Sequence, residues 1–196
     1  MRTVSRRTWL LTAVAVLAAL VGYRVLTRFP PDTIPEGAYL RIAVALEHGE
    51  PEKAFPYLEE ESQIACFTIR DYSRLAATAI AADYPEPVKA KELASYQRLA
   101  EAGEPPKVWS RFAEDSGWLR RLRRDLSGVS GVEIVGERAT IITARGTRYS
   151  FRRRPNGLWG LTMFTAQLAA EARRLARDWD QVNKAASDYR AAAKER

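Results

Sequence analysis

Thr147-Arg148-Tyr149-Ser150-Phe151-Arg152-Arg153-Arg154-Pro155-Asn156-Gly157-Leu158-Trp159-Gly160-Leu161 is the stretch that decides the fold. Tyr149 and Phe151 fall on one side of an extended chain, and Arg148, Ser150, Arg152 and Arg154 fall on the other. A period of two belongs to a strand with one buried and one wet face. Asn156-Gly157 follows, the dipeptide that favours a type I′ hairpin because both central positions need positive φ. The next run, Leu158–Phe164, offers Trp159, Leu161 and Met163 to the same buried side. Upstream, Val132–Val135 and Ala139–Ala144 are rich in β-branched residues and are set off by Gly136-Glu137 and Arg145-Gly146. Four short strands with tight turns read as an antiparallel meander.

Before the strands the period changes to that of a helix. Thr33 and Glu36 have the spacing of a capping box, and Tyr39, Ile42, Ala43 and Leu46 form one apolar stripe after it. Gly49 supplies the left-handed stop, and Pro51 suits the first turn of a short helix carrying Ala54, Phe55 and Leu58. A longer helix is expected over about 62–82, with Ala65, Ile69, Tyr72, Ala76 and Ile80 on one face, ended by Asp83-Tyr84-Pro85. Pro87 opens another through Leu93, Tyr96 and Leu99. Two short pieces, about 107–115 and 117–126, complete the helical block. The second puts Trp118, Leu119, Leu122 and Leu126 on one face and Arg120, Arg121, Arg123 and Arg124 around the other.

From Thr165 onward the chain has no Gly or Pro and is rich in Ala, Arg and Glu, which favours one long helix. Leu168, Ala172, Leu175, Trp179, Val182, Ala186 and Tyr189 repeat at alternating spacings of four and three, a heptad seam. Two readings stand: packing on the parent domain, or a partner helix or self-association through Leu168, Leu175, Trp179, Val182 and Tyr189. The fold class is therefore α+β, with an α+β domain at 34–164 and a C-terminal amphipathic helix at 165–196.

At the other end, Thr8–Tyr23 carries no charge and lies between Arg7 and Arg24. A spanning helix wants about 20 apolar residues. A snorkelling Arg24 would extend the usable span to Thr8–Thr27, with Trp9, Leu10, Leu11, Val14, Val16, Leu17, Leu20 and Val21 in the bilayer and Trp9 and Tyr23 near its two interfaces. The alternatives are a cleaved secretory signal, for which Ser5-Arg6-Arg7 resembles a twin-arginine start, and a buried core helix. The anchored reading gives a membrane anchor at 1–28 and a linker at 29–33 around Pro30-Pro31. Its basic flanks place the N-terminus in the cytoplasm and the body in the periplasm of a bacterial inner membrane.

The 196 residues carry a formal charge of +7, and residues 1–28 hold five arginines and no acid. Most of the excess therefore belongs to the N-terminal segment, which argues against nucleic acid as a partner. Two arginine clusters remain in the body as candidate contacts for anionic phospholipid headgroups: Arg120, Arg121, Arg123 and Arg124, and Arg148, Arg152, Arg153 and Arg154.

A single Cys and a single His exclude a disulfide framework and multi-ligand zinc sites built from them. His48 beside Gly49 fits the negative end of a helix, and Cys66 in an apolar stretch reads as a buried thiol. Glu59-Glu60-Glu61 and Asp178/Asp180 read as solvated faces. No phosphate loop, dinucleotide fingerprint or zinc-protease motif is present, so no cofactor, metal or catalytic residue is expected.

The stretch Ala45–Phe55, a helix ending at Gly49 followed by Ala54-Phe55, together with the closing hairpin through Gly157-Leu158-Trp159, resembles the nuclear-transport-factor-two-like (cystatin-like cone) superfamily. It is particularly similar to small bacterial membrane- or export-associated members of unknown function. The resemblance implies a curved sheet around helices, with a pocket that some relatives use for ligands or catalysis. Tyr72, Tyr149 and Trp159 would line it. The expected function is a non-enzymatic interaction or scaffold module tethered to a membrane; the alternative is a small-molecule-binding or enzymatic cone.

Overall fold

A computed structural model describes residues 30–86 and 88–195. The apolar run Thr8–Thr27, with the expected anchor residues Trp9 to Tyr23, and the expected helix-opening Pro87 lie outside the described residues. Among those described, no helix is long and apolar enough to cross a membrane.

The body begins at Asp32. Its first helix, α1, spans Pro35–Glu47 and is not started by the expected capping box. Ile34 is the N-cap, in extended conformation and with no side-chain cap bond, and its carbonyl accepts from the Ala38 N–H at 3.2 Å. Pro35 explains the difference, because its fixed φ pre-organises the first turn and it has no N–H to satisfy. The helix ends as expected. Gly49 adopts φ 74°, its N–H donates to the Leu46 carbonyl, and Glu50 N–H reaches back to Ala45 O at 2.8 Å. These two bonds are the Schellman pattern that satisfies orphaned carbonyls.

Pro51–Tyr57 follows as a 3₁₀ helix, not an α-helix, with Pro56 inside it removing a donor. It buries Ala54 and Phe55, and Leu58 just beyond is also buried. Helix α2, Glu60–Asp83, buries Ala65, Ile69, Ala76 and Ile80 as expected, with Ser62, Cys66 and Ser73 beside them. Tyr72 sits at the margin of that face and is half-buried. Helices α3 (Val88–Ala100), α4 (Pro105–Asp115) and α5 (Trp118–Asp125) complete the block. On α5 the apolar face is as expected: Leu119 and Leu122 are buried, and Trp118 and Leu126 are half-buried.

The sheet has strand order β1-β2-β3-β4, all antiparallel: Val129–Val135, Arg138–Thr143, Arg148–Arg153 and Trp159–Leu161. Strand β1 begins earlier than its apolar run because a bulge between Val129 and Gly131 takes up Ser130. The Ser130 hydroxyl donates to the carbonyls of Ile142 and Thr143 at 3.0 and 2.9 Å. Strand β4 is shorter than expected, and Met163 beyond it is only half-buried.

The Asn156-Gly157 turn is not type I′. No described non-glycine residue has positive φ, so only Gly157 is left-handed, at 82°. Gly157 N–H donates to Arg154 O and Arg154 N–H to Leu158 O, which makes a three-residue loop of Pro155, Asn156 and Gly157. Pro155 decides this, since its φ is confined to negative values and suits the first corner of an unprimed turn.

Helix α6 runs over Thr165–Lys194 and lies along α2 in the same direction. At the start of both, Ser62 Oγ and Thr165 Oγ1 are 2.8 Å apart; at their ends Arg190 forms an ion pair with Asp83. The parallel arrangement arises because α2 and α6 are joined through the other helices and the whole sheet. Leu168, Ala172, Leu175, Val182 and Ala186 of the heptad seam are buried against the body, and Trp179 and Tyr189 are half-buried at its edge. Tyr189 meets Tyr84 edge-on at 5.0 Å. Burying each of the larger seam side chains is worth about 1.5–3 kcal/mol, so the seam is a folding element of this chain.

Candidate functional site

The inner face of the sheet is filled. Ala139, Ile141 and Thr143 of β2, Tyr149 and Phe151 of β3, and Trp159 and Leu161 of β4 are all buried under α1 and the 3₁₀ helix. Tyr149 packs on Tyr39 of α1 with ring centroids 5.6 Å apart, and burial pushes its phenol up to about 12. Burial also raises Tyr39, outweighing the opposite effect of the Ser127 N–H, which donates to its hydroxyl oxygen at 3.2 Å; the hydroxyl itself donates to the Ser127 carbonyl at 2.7 Å. The Trp159 indole N–H donates to the Thr33 carbonyl at 3.0 Å. Tyr72 belongs instead to the helical layer on α2. The three side chains expected to share a pocket are thus divided between packing sites, and none of them lines the cavities described next.

The larger opening, of about 720 Å³, lies at the C-terminal end of α1. Leu40, Ala43, Val44 and Leu126 form its apolar wall, and Glu47, His48 and Arg123 form the polar part. His48 is the C-cap of α1, as expected from Gly49. The Arg123 Nε–H donates to the Leu46 carbonyl at 3.1 Å, so this guanidinium caps a helix end instead of facing open solvent alone. Among the described residues no serine, cysteine or carboxylate hydrogen-bonds His48, and no cluster of three or more His, Cys, Asp or Glu has the arrangement to hold a metal ion. The cavity has the surface of a binding cleft without an assembled acid–base pair.

A second opening, of about 560 Å³, runs between α2 and α6 past Asp71, Leu75, Trp179 and Arg190. It continues an unusual helix face. Ile64, Phe67 and Leu75 of α2 are 58%, 46% and 46% exposed, on the side opposite Ala65, Ile69, Ala76 and Ile80. Arg70 lies over the Phe67 ring at 5.3 Å and pairs with Asp71 at 2.8 Å. The signal for this face was present in the sequence, since Ile64, Phe67 and Leu75 fall off the stripe of Ala65, Ile69, Ala76 and Ile80.

The arginines are distributed along the sheet. Arg121 and Arg124 flank Asp125 at 3.8 and 3.1 Å, and Arg145 in the β2–β3 turn donates to the Arg124 carbonyl, so Arg120 to Arg124 lie at that end. Arg148 pairs with Glu133, and Arg152 lies 2.6 Å from Glu59. Arg154 donates to the Pro56 carbonyl at 2.8 Å and to Gln63 Oε1 at 3.3 Å. Strand β3 is about 20 Å long, so Arg152, Arg153 and Arg154 lie at the end of the sheet away from Arg120 to Arg124 while Arg148 lies at the near end, and the two clusters do not form one basic face.

Glu59 is buried, unlike the solvated run expected of Glu59-Glu60-Glu61. Its Oε2 accepts from Thr165 Oγ1 at 2.6 Å, and it sits where the starts of α2 and α6 meet β4. Cys66 is fully buried, and desolvation pushes its thiol up to about 12, which leaves it protonated and unreactive. Asp178 pairs with Arg174 one turn away on the same helix.

No family model, curated protein or solved structure matches this chain.

Proposed function

We propose that the chain is a single-pass, membrane-tethered interaction module that carries out no chemistry itself. The exposed apolar face of α2 carries this reading: Ile64, Phe67 and Leu75 stand in water along a helix whose opposite side is core. Asp71 stands between Phe67 and Leu75 on this face, with Arg70 and Arg74 beside them, and large apolar side chains exposed among charges in this way suit a contact surface. Thr8–Thr27 supplies the tether, with the N-terminus in the cytoplasm and the body outside the cytoplasm of a bacterial cell. The succession of a helix closed by Gly49, a short helix and an antiparallel meander ending at Trp159-Gly160 supports a relationship to the nuclear-transport-factor-two-like superfamily. The filled inner face of the sheet speaks against its catalytic members as models for this chain.

A photo-reactive amino acid at position 67 in the intact, membrane-located chain tests the contact surface, with the exposed position 101 as control. A discrete cross-linked adduct from position 67 alone is expected. Equal yields from both positions, or none from either, would count against an interaction face on α2.

A second reading is favoured by the cavity at the end of α1, whose apolar wall beside His48 and Arg123 suits a small amphiphile. Arg123→Ala would then weaken ligand binding found by a thermal-shift screen.

A further inference from the structure

The end of the sheet that carries the β1–β2 turn combines features that are hard to reconcile with plain solvent. Strand β1 is the sheet edge, and Ile134 and Val135 at its end are 56% and 79% exposed. Gly136 at φ 57° and Glu137 close the turn to β2, so the two apolar side chains stand at the tip of a tight hairpin. Val135 is directly opposite Arg138, and Arg138 is directly opposite Arg152. Two like charges facing each other across strands are unfavourable. Arg152 is drawn to Glu59, whereas Arg138 has no ion-pair partner among the described residues. Arg153 joins the same end: its N–H donates to the Glu137 carbonyl at 2.8 Å. An apolar tip with arginines behind it is the arrangement that enters a lipid headgroup layer.

The position of this end relative to the start of the body supplies the second observation. Arg153 is paired in register with Trp159, and the Trp159 indole donates to the Thr33 carbonyl. The first residues of the body therefore lie at the same end of the sheet as the β1–β2 turn and the Pro155-Asn156-Gly157 loop. A membrane tether entering at Asp32 and Thr33 would bring this end, and not the α5 cluster beside the β2–β3 turn, to the bilayer.

We infer that the β1–β2 hairpin tip docks on an anionic bilayer, with Ile134 and Val135 at the acyl boundary and Arg138 and Arg153 at the lipid phosphates. The inference rests on the tethered reading but is measured separately from it. Glu137 opposes the attraction, and Glu133 and Glu59 already neutralise Arg148 and Arg152, so the electrostatic part comes from Arg138 and Arg153. Each such arginine is worth about a five-fold change in surface affinity.

Because the native Cys66 is buried, a Val135→Cys chain presents one accessible thiol for an environment-sensitive fluorophore. The labelled full-length chain is reconstituted into vesicles of pure phosphatidylcholine or of phosphatidylcholine mixed with phosphatidylglycerol. The inference predicts blue-shifted emission quenched by brominated lipids in the mixed vesicles. It predicts weak or no shift in the neutral ones, and loss of the shift in an Arg138→Glu, Arg153→Glu background. Water-like emission in both vesicle types overturns it. A shift that grows with protein concentration and ignores lipid charge also overturns it, in favour of another strand pairing along the β1 edge. Flotation of the chain with vesicles in high salt reads the tether alone, so a tip that docks on an untethered chain and a tether without a docked tip give different results.

Discussion

A Cβ on Gly160 would fall 2.7 Å from the Glu59 Cα and 2.8 Å from the Leu58 carbonyl oxygen. Strand β4 and the chain entering α2 thus approach as closely as backbone allows, joined by the Glu59 N–H bond to Leu161 O at 3.1 Å and a parallel bridge between Leu58 and Leu161. Backbone atoms cannot swing aside as a side chain can. Gly160→Ala is therefore expected to cost about 1–3 kcal/mol, lowering Tm by several degrees in thermal unfolding. An unchanged Tm would mean that the crossing is looser than described.

Glu59 holds three elements at that crossing through Thr165 and Arg152. Glu59→Ala leaves the Thr165 hydroxyl with Ser62 alone as partner and removes the carboxylate that pairs with Arg152, and should cost about 1–3 kcal/mol in chemical denaturation. Arg152→Ala should cost less, because its half-exposed guanidinium is screened by water and salt. The reverse order would show that the ion pair, not the hydrogen bond to α6, dominates.

Inward and outward apolar residues on the paired helices α2 and α6 should behave oppositely. Leu168→Ala and Leu175→Ala empty core positions and are expected to cost about 2–5 kcal/mol each. Phe67→Ala and Leu75→Ala, on the outer face, should change stability by no more than about 0.5 kcal/mol. A large loss from the second pair would mean that the outer face is covered within the chain.

Alkaline pH should destabilise the protein in two steps. The Cys66 thiol has an ordinary value of 9.0 and is pushed to about 12 in the folded state; the Tyr149 phenol moves from 10.0 to about 12. Both groups bind their protons more tightly when folded, so the stability they contribute is intact below pH 9 and falls between pH 9 and about 12. Cys66→Ala removes the earlier step and moves the onset towards pH 10, which denaturant titrations across that range will show. An onset unaffected by Cys66→Ala would contradict the burial of the thiol.

The parts of this fold that local patterns decide were readable from the chain. Tyr149 and Phe151 turn inward as their alternation requires, Gly49 ends α1, and the seam through Leu168 and Leu175 marks a buried stripe. What escaped reading depends on neighbours distant in sequence. The heptad spacing of α6 could not say whether its partner was α2 or another molecule. Pro35 and Pro155 overrode the stronger-looking signals beside them, Thr33 and Asn156-Gly157, because a fixed φ constrains the chain more tightly than a side-chain preference. Glu59 read as part of a charged surface run, and only the crossing of β4 beneath it takes it out of water. Tyr72, Tyr149 and Trp159 share a chemical type, but packing puts Tyr72 in the helical layer and Tyr149 and Trp159 in the filled inner face of the sheet.

The tethered account is tested most directly by fractionating cells that produce the intact chain or one lacking Thr8–Thr27, then washing the membranes with alkaline carbonate and high salt. The intact chain should remain in the washed pellet and the shortened one should leave it. Release of the intact chain, or retention of the shortened one through both washes, would contradict an anchor in that segment.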